Sequence, residues 1–238
     1  MAFDTITRVG SSVDKIPVQM SVWHLTGALV LVAIGGYGDG ASFVLVGCFT
    51  GHTTGNCVLA AIALATGGRV WEPVLAVVCF LGATALALRL RTSSEQPFGS
   101  RGFHYVLGTE IFLVFVSPFV LIAHHRYAFI ACMSLALGLQ NGAVSKTDGM
   151  TLHTTYLTGT LTRLLGLLID PGSAKTSMNK SEMRFIPLAW CAFVVGALCG
   201  AVTTSHAGAK GVWGMPLLLT AVLAISSLAP YPQGSKPG

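Results

Sequence analysis

The chain has 238 residues, of which 53% are hydrophobic and 10% charged, with a mean hydropathy of +0.70 and a formal net charge of +5. Soluble domains carry about 25% charged residues, so this composition excludes a soluble globular protein. The positive charge does not indicate binding of nucleic acid, because no basic face or aromatic-basic module accompanies the apolar segments. The sequence therefore predicts an integral membrane protein.

Six apolar stretches reach the length of about 20 residues that a membrane-crossing helix needs. In chain order they are Val22–Gly38, Val70–Leu90, Phe103–Ala123, Tyr127–Val144, Phe185–Thr204 and Gly211–Ala229. Two further pieces, Cys57–Ala65 and Leu161–Ile169, are too short to cross alone at about 1.5 Å per residue. We therefore expect an all-α polytopic bundle in one domain, 1–238, with six full spans and two short discontinuous or re-entrant half helices.

The distribution of Lys and Arg distinguishes six crossings from eight, because these residues concentrate in cytoplasmic segments. With six crossings and a cytoplasmic N-terminus, only Arg69, Arg126 and Lys210 of the fourteen basic residues lie outside. With eight crossings, as in a 4+4 parallel repeat, the split weakens to eight against six. The charges favour six spans in an inner or plasma membrane, with both termini cytoplasmic; eight spans remain the alternative.

A motif occurs twice, each time near the end of a span and just before a short apolar piece. The first copy reads GYGDGA at 36–41 and is followed by Thr54-Gly55-Asn56; the second reads GLQNGA at 138–143 and is followed by Thr158-Gly159-Thr160. Three crossings per copy would invert the second half relative to the first, a common plan among secondary transporters. We expect an inverted 3+3 repeat with halves at approximately 20–101 and 102–230.

These paired motifs resemble the YoaK-like family of multi-pass membrane proteins, a domain of unknown function. The resemblance extends over nearly the whole chain. It implies a membrane protein with two related motifs, and it implies no substrate.

Three interpretations compete for the polar stretch 36–56: a loop between spans, an unwound helix lining a cavity, and a seam of small residues between packed helices. Asn56 and Thr160 have side chains typical of helix N-caps. Each short piece is then a half helix whose positive end could face an anionic group near the membrane midplane. The same residues would also suit ordinary helix ends or packing seams.

Acidic residues inside the predicted spans are the clearest indication of function. Asp39 would cost about 2.5 to 3.5 kcal/mol to insert, and such residues often mark ion or proton pathways. Its counterpart in the second motif, Asn141, cannot ionise. Glu110 is a second candidate, ranked lower because a modest shift of its span would bring it to the cytoplasmic surface. The competing interpretation has Asp39 at an interface, hydrated or paired with a basic residue.

The sequence predicts transport of a small polar or anionic solute, coupled to protons through Asp39, with membrane lipids as partners and homo-oligomers as a further expectation. We expect the pathway to be lined by Asp39, His52, Thr54, Gly55, Asn56, Gln140, Asn141, Thr158, Gly159 and Thr160. The alternative is a scaffold or accessory subunit that transports nothing. We expect no enzyme, metal or cofactor, since no metalloprotease, nucleophile-elbow or phosphate-loop pattern occurs.

Overall fold

The computed structural model describes residues 22–90, 101–143, 157–169 and 180–228, and these ranges are helical, with short turns and no strand. The helices are α1 Val22–Val46, α2 Thr53–Thr66, α3 Trp71–Leu90, α4 Arg101–Ile122, α5 Arg126–Ala143, α6 Leu157–Ile169, α7 Lys180–Ala207 and α8 Gly214–Leu228. A 3-10 segment, Gly208–Trp213, joins the last two. The predicted all-α class is confirmed.

Four stretches of the described chain are long and apolar enough to cross a membrane. They are Leu25–Val46, Trp71–Leu90, Arg101–Ile122 and Met183–Ser227. The last of these contains both α7 and α8, joined by the 3-10 segment. These helices suit a membrane protein, and the number of six crossings stays a prediction. Large apolar side chains on the outside of the bundle, such as Phe112 and Leu217, suit a surface that faces lipid.

Helices α1 and α7 form the most extensive helix contact, through two glycine pairs spaced four residues apart. A methyl group added at Gly36 would lie 2.1 Å from the Phe193 carbonyl oxygen, and one at Gly196 would lie 2.0 Å from that of Ala33. Only glycine allows so close an approach, as in other membrane helix pairs with small residues at this spacing. Ala33 meets Gly196 and Tyr37 meets Gly200, so the two helices run parallel.

Helices α3 and α5 form a second seam of the same kind. A methyl group at Gly138 would lie 2.4 Å from the Phe80 carbonyl oxygen, and one at Gly142 would lie 2.7 Å from that of Thr84. The Thr84 hydroxyl donates to the Gly138 carbonyl at 3.0 Å. The contacts advance in step along both chains, so α3 and α5 are also parallel.

Helices α1 and α5 run in opposite directions at the centre of the bundle. Near the start of α5, the Arg126 guanidinium donates to the Val46 carbonyl at the end of α1. Near the end of α5, the Gln140 amide donates to the Leu31 carbonyl at 2.9 Å. We call the end of the bundle that holds Val46 and Arg126 the Arg126 end, and the opposite end, where α4 begins, the Arg101 end.

The first helix is longer than predicted, because it continues through the motif 36–41 to Val46 instead of ending at Gly38. Gly36 and Gly40 of the motif pack against α7, and Gly38 packs against Leu137 of α5 and Met215 of α8, so the polar stretch does not break the helix there. Unwound backbone is confined to residues 47–52. The predicted short helix at Cys57–Ala65 spans Thr53–Thr66, and the one at Leu161–Ile169 begins at Leu157.

Candidate functional site

Asp39 is buried in α1 and holds the loop that follows this helix. The amides of Thr50 and Gly51 donate to its Oδ1 atom at 2.9 and 2.7 Å. Asp39 lies seven residues before the last residue of α1, which corresponds to about 10 Å along the helix axis. The loop therefore turns back along α1 toward the interior of the bundle. Its contact is strengthened by a bond between the hydroxyls of Ser42 and Thr50, 3.1 Å apart.

Asn56 secures the same loop from the other side. Its Oδ1 atom accepts from the Phe49 amide at 2.9 Å, and its Nδ2 atom donates to the Phe49 carbonyl at 2.7 Å. The prediction that Asn56 is an N-cap is wrong, since His52 holds that position and makes no capping bond with its side chain. A buried amide that satisfies both backbone groups of one residue stabilises the unwound segment, where helical bonds are missing.

The other predicted residues of the first motif lie around the start of α2. Thr54 is exposed and His52 is partly buried. A methyl group at Gly55 would lie 2.6 Å from the His52 ring and 3.0 Å from the Phe49 ring. The two rings, with centroids 5.5 Å apart, therefore lie against Gly55 in the first turn of α2.

The second motif presents a different environment. Gln140 and Asn141 are buried in α5, and the Oε1 and Oδ1 atoms of their side chains have no hydrogen-bond partner in the described chain. Gly159 is exposed in α6, which packs against α7. Thr158 and Thr160 are in α6, and the structure describes their backbone but not their side chains. Since α6 begins at Leu157, the prediction that Thr160 caps it is wrong.

Glu110 lies beside the second motif and is fully buried, at 0% exposure. It shares a narrow cleft with Gln140, and the other lining side chains are apolar: Leu31, Phe103, Val106, Leu107 and Ala143. Neither Glu110 carboxyl oxygen has a hydrogen-bond partner among the described residues. The structure thus brings Glu110 and Gln140 together, and it separates both from the hydrogen-bonded Asp39 loop.

An ion pair at the Arg126 end joins three helices, and it was not predicted from the sequence. Arg126 at the start of α5 contacts Glu72 of α3 with two nitrogens, Nε to Oε1 at 2.7 Å and Nη2 to Oε2 at 3.0 Å. Its bond to Val46 adds the end of α1. Glu72 opens α3, beside a tryptophan and before a proline, where an acidic residue suits the helix dipole. That local signal was available, but the partner could not be predicted from it.

Within the described ranges, no group of three or more His, Cys, Asp or Glu side chains could hold a metal ion. Cys48, in the loop after α1, is buried, and burial raises the pKa of its thiol to about 12. This thiol therefore stays protonated and is a poor nucleophile or metal ligand at neutral pH.

Comparisons with known proteins agree with the membrane fold. The family model described as "Protein of unknown function (DUF1275)" matches residues 27–225. The chain is also similar to the UPF0700 transmembrane protein YoaK of Bacillus subtilis (strain 168), with 26% identity over 191 residues, covering 76% of this chain and 83% of YoaK. No solved structure matches. Since the family model covers most of the chain, this membrane protein belongs to the DUF1275 family.

Proposed function

We propose that this protein transports a small polar solute across the membrane, using two inverted halves of three crossings each. The observation that carries this proposal is the pattern of helix contacts. Helix α1 packs parallel to α7, and α5 packs parallel to α3, each along a glycine seam. Secondary transporters are commonly built from such inverted repeats, with the solute site near the midplane where the repeats meet.

The contacts keep their pattern when the two halves are exchanged. If α1 to α4 correspond to α5 to α8, the contact of α1 with α7 becomes that of α5 with α3. Likewise, the contact of α4 with α5 becomes that of α8 with α1, and the contact of α2 with α3 becomes that of α6 with α7. All six of these contacts occur in the structure. Because α1 and α5 are antiparallel, the relation inverts the halves. This grouping divides the chain between α4 and α5, at about residue 124.

The ends of the helices support six crossings. Arg126 contacts both the last residue of α1 and Glu72 in the first turn of α3, so the segment that joins these helices starts and finishes near the Arg126 end. The loop 47–52 turns inward along α1, and α2 then returns toward the same end, as a re-entrant segment would. By the repeat relation, we assign α6 the equivalent position at the Arg101 end.

The charges support an orientation with the Arg101 end in the cytoplasm. At the Arg126 end, Arg69 and Arg126 both contact Glu72, at 3.4 and 2.7 Å, and Lys210 is exposed. At the opposite end, α3 finishes with Arg89 and α4 starts with Arg101. With six crossings, only Arg69, Arg126 and Lys210 of the fourteen basic residues lie at the Arg126 end, and Lys and Arg concentrate on the cytoplasmic side of membrane proteins.

The described polar groups favour a solute that is not an anion. The N-terminus of α2 was the basis for expecting an anion at the first motif, and the rings of Phe49 and His52 lie against its first turn. Beside the second motif, the unpartnered buried atoms of Glu110, Gln140 and Asn141 are all oxygens; elsewhere in the described core, Ser134 Oγ and Trp213 Nε1 also lack partners and can donate. Oxygens of this kind accept hydrogen bonds, so they suit a solute that donates them or carries positive charge.

The experiment is a flux measurement on the purified full chain in liposomes that contain a pH-sensitive dye. Small polar solutes are added one at a time: amino acids, ammonium and alkylamines, carboxylates and nucleosides. We expect at least one to cause saturable solute or proton movement that protein-free liposomes lack. The same solute should raise the melting temperature of the protein in detergent, because a ligand stabilises the state it binds. No movement and no thermal shift across the panel would contradict transport.

A scaffold or accessory role is the second candidate, and the glycine seams are the observation that favours it. Close helix packing of this kind also serves proteins that only hold partners in the membrane. Cysteine labelling distinguishes the two. In a cysteine-depleted background, Gln140→Cys should react with a water-soluble reagent and be protected by the solute if it lines a pathway. A position sealed between helices would remain inert, as a scaffold requires.

A further inference from the structure

The Glu110 carboxyl group is the least satisfied polar group in the described core. It lies near the middle of α4, between Arg101 and Ile122, and is completely buried. Both of its oxygens lack a hydrogen-bond partner in the described chain. An ionised carboxylate in such surroundings costs several kcal/mol unless a cation or donor neutralises it. The group therefore needs a positively charged occupant, and the lining of the cleft supplies none.

Gln140 is the other polar side chain that lines the cleft, and it is 2% exposed. Its Nε2 atom is engaged, donating to the Leu31 carbonyl at 2.9 Å. Its Oε1 atom has no partner. This bond uses one of the two Nε2 hydrogens and leaves Oε1 as the free acceptor of the amide. The residues around the cleft thus carry three unpartnered oxygens, two on Glu110 and one on Gln140.

The small number of oxygens limits the choice of cation. Calcium takes about six to eight oxygen ligands and magnesium about six, whereas the rest of this cleft is hydrocarbon. A proton needs one carboxyl oxygen. We propose that Glu110 binds and releases a proton, and that Gln140 Oε1 is the acceptor for the hydroxyl of the protonated carboxyl.

Other titratable groups near α4 are engaged elsewhere or absent from the cleft. On α4 itself, the His104 ring nitrogen Nε2 is 3.0 Å from the Ser226 hydroxyl of α8. Asp39 of α1 is bonded to its own loop, and Arg126 of α5 is paired with Glu72 at the far end. Lys210, on the 3-10 segment that packs against α4, is exposed. No described basic side chain is therefore placed to neutralise the Glu110 carboxylate in place of a proton.

The role of this proton site rests on the proposed transport function, because Glu110 would be the residue that couples solute movement to proton movement. This assignment moves that role from Asp39, whose Oδ1 atom already accepts from two amides. Exchanging the halves turns the contact of α4 with α5 into that of α8 with α1, which is apolar at the corresponding position. There α1 presents Gly38, where a methyl group would lie 3.2 Å from Met215 of α8. In the described chain, the contact of α4 with α5 then carries the proton, and the equivalent contact of α8 with α1 is closely packed.

The test uses a hydrophobic carbodiimide, which modifies protonated carboxyl groups in apolar surroundings, on the purified full chain in detergent. Peptide mass spectrometry should find one carbodiimide adduct on Glu110. Its rate should fall about tenfold per pH unit once the carboxyl is mostly ionised. Glu110→Gln should abolish the adduct, and Asp39→Asn should leave it unchanged. Glu110→Asp, which keeps the carboxyl, should still be labelled, and this variant controls for loss of folding.

The outcomes separate the proton site from transport. No adduct on Glu110 in the folded protein, or a rate independent of pH, would overturn the proton site. Labelling slowed by sodium chloride but not by equal choline chloride at fixed pH would also overturn it, in favour of sodium. If labelling behaves as expected but no solute moves in liposomes, the proposed transport fails while the site stands. If solute moves and Glu110→Gln still responds to a pH gradient, the coupling role fails alone.

Discussion

Of the three buried carboxyl groups in the described chain, Glu72 is paired with Arg126, and the other two, Asp39 and Glu110, differ in their surroundings. Two backbone amides donate to Asp39, and its position orders the loop 47–52. Glu110 has no donor among the described residues and faces a cleft that contains one other polar side chain. The first group is thus suited to stabilising the fold, and the second to binding an exchangeable cation.

Replacing Asp39 should destabilise the protein. Hydrogen bonds to charged groups contribute about 1.5 to 3 kcal/mol, so we expect Asp39→Ala to lower the free energy of unfolding by about that amount. Asp39→Asn keeps an acceptor oxygen and should lose less. Unfolding in mixed detergent micelles, followed by tryptophan fluorescence, measures both. An Asp39→Ala variant as stable as the wild type would show that these bonds contribute little.

The ion pair at the Arg126 end gives a second prediction. Arg126→Met leaves Glu72, whose side chain is 6% exposed, without its bidentate partner. Breaking a buried pair costs about 3 to 5 kcal/mol, and partial exposure of Arg126 places the expected loss near the lower value. The matched control is Arg69→Met, because its contact with Glu72 is 3.4 Å long and its side chain is 68% exposed.

We expect the Arg69→Met control to lose less than about 1 kcal/mol, as is usual for exposed pairs. The same unfolding measurement applies to both variants. Equal losses for the two arginines would contradict the assignment of Arg126 as the residue that joins the helices.

At the scale of the helices, two glycine seams determine which elements are neighbours. In the α1–α7 seam, the backbones of the two helices are in direct contact. In the α3–α5 seam, the glycines of α5 contact the backbone of α3 in the same way. In lipid there is no hydrophobic force between helices, so close packing of this kind is a main source of association. The repeated motif 36–41 and 138–143 therefore has a packing role in both copies.

Alanine substitutions test the seams. Gly36→Ala and Gly196→Ala would each place a methyl group about 2 Å from a backbone oxygen of the facing helix. We expect each to destabilise the protein by about 1 to 3 kcal/mol or more, as overpacking does. The controls are Gly82→Ala and Gly108→Ala, where nothing lies within 4 Å of the added carbon.

The controls should be no less stable than the wild type, because alanine is the better helix former. Stability is compared by thermal aggregation in detergent. Seam variants that match the controls would show that the helices can separate at no cost.

At the scale of the whole molecule, the number of crossings decides on which face each connection lies. With six crossings, Arg69 and Lys210 are on the same face of the membrane; with eight, they are on opposite faces. We expect Arg69→Cys and Lys210→Cys, in a cysteine-depleted background, to react with an impermeant thiol reagent from outside intact cells. Arg101→Cys should react only after the membrane is opened. Labelling of Arg69→Cys and Lys210→Cys from opposite sides would support the parallel eight-span alternative.

Hydropathy allowed most helices to be predicted within a few residues, since lipid leaves the backbone no alternative to the helix. The spans at α3, α4 and α8 were predicted to within about three residues at each end. The end of α1 was missed by eight residues. Its Gly-rich, acidic segment resembles a break when considered alone, and it remains helical because α7 and the loop 47–52 contact it.

The sequence by itself determined the membrane class, the helical fold and the paired motifs, because hydropathy and small-residue spacing act locally along the chain. The tertiary structure decided the roles of the polar residues. Whether a buried carboxyl is satisfied depends on groups from elsewhere: for Asp39, amides eleven and twelve positions away, and for Glu110, the side chains of α1 and α5. No pattern within one helix contains that information, since a hydrogen-bond donor can come from any segment that the fold brings within reach.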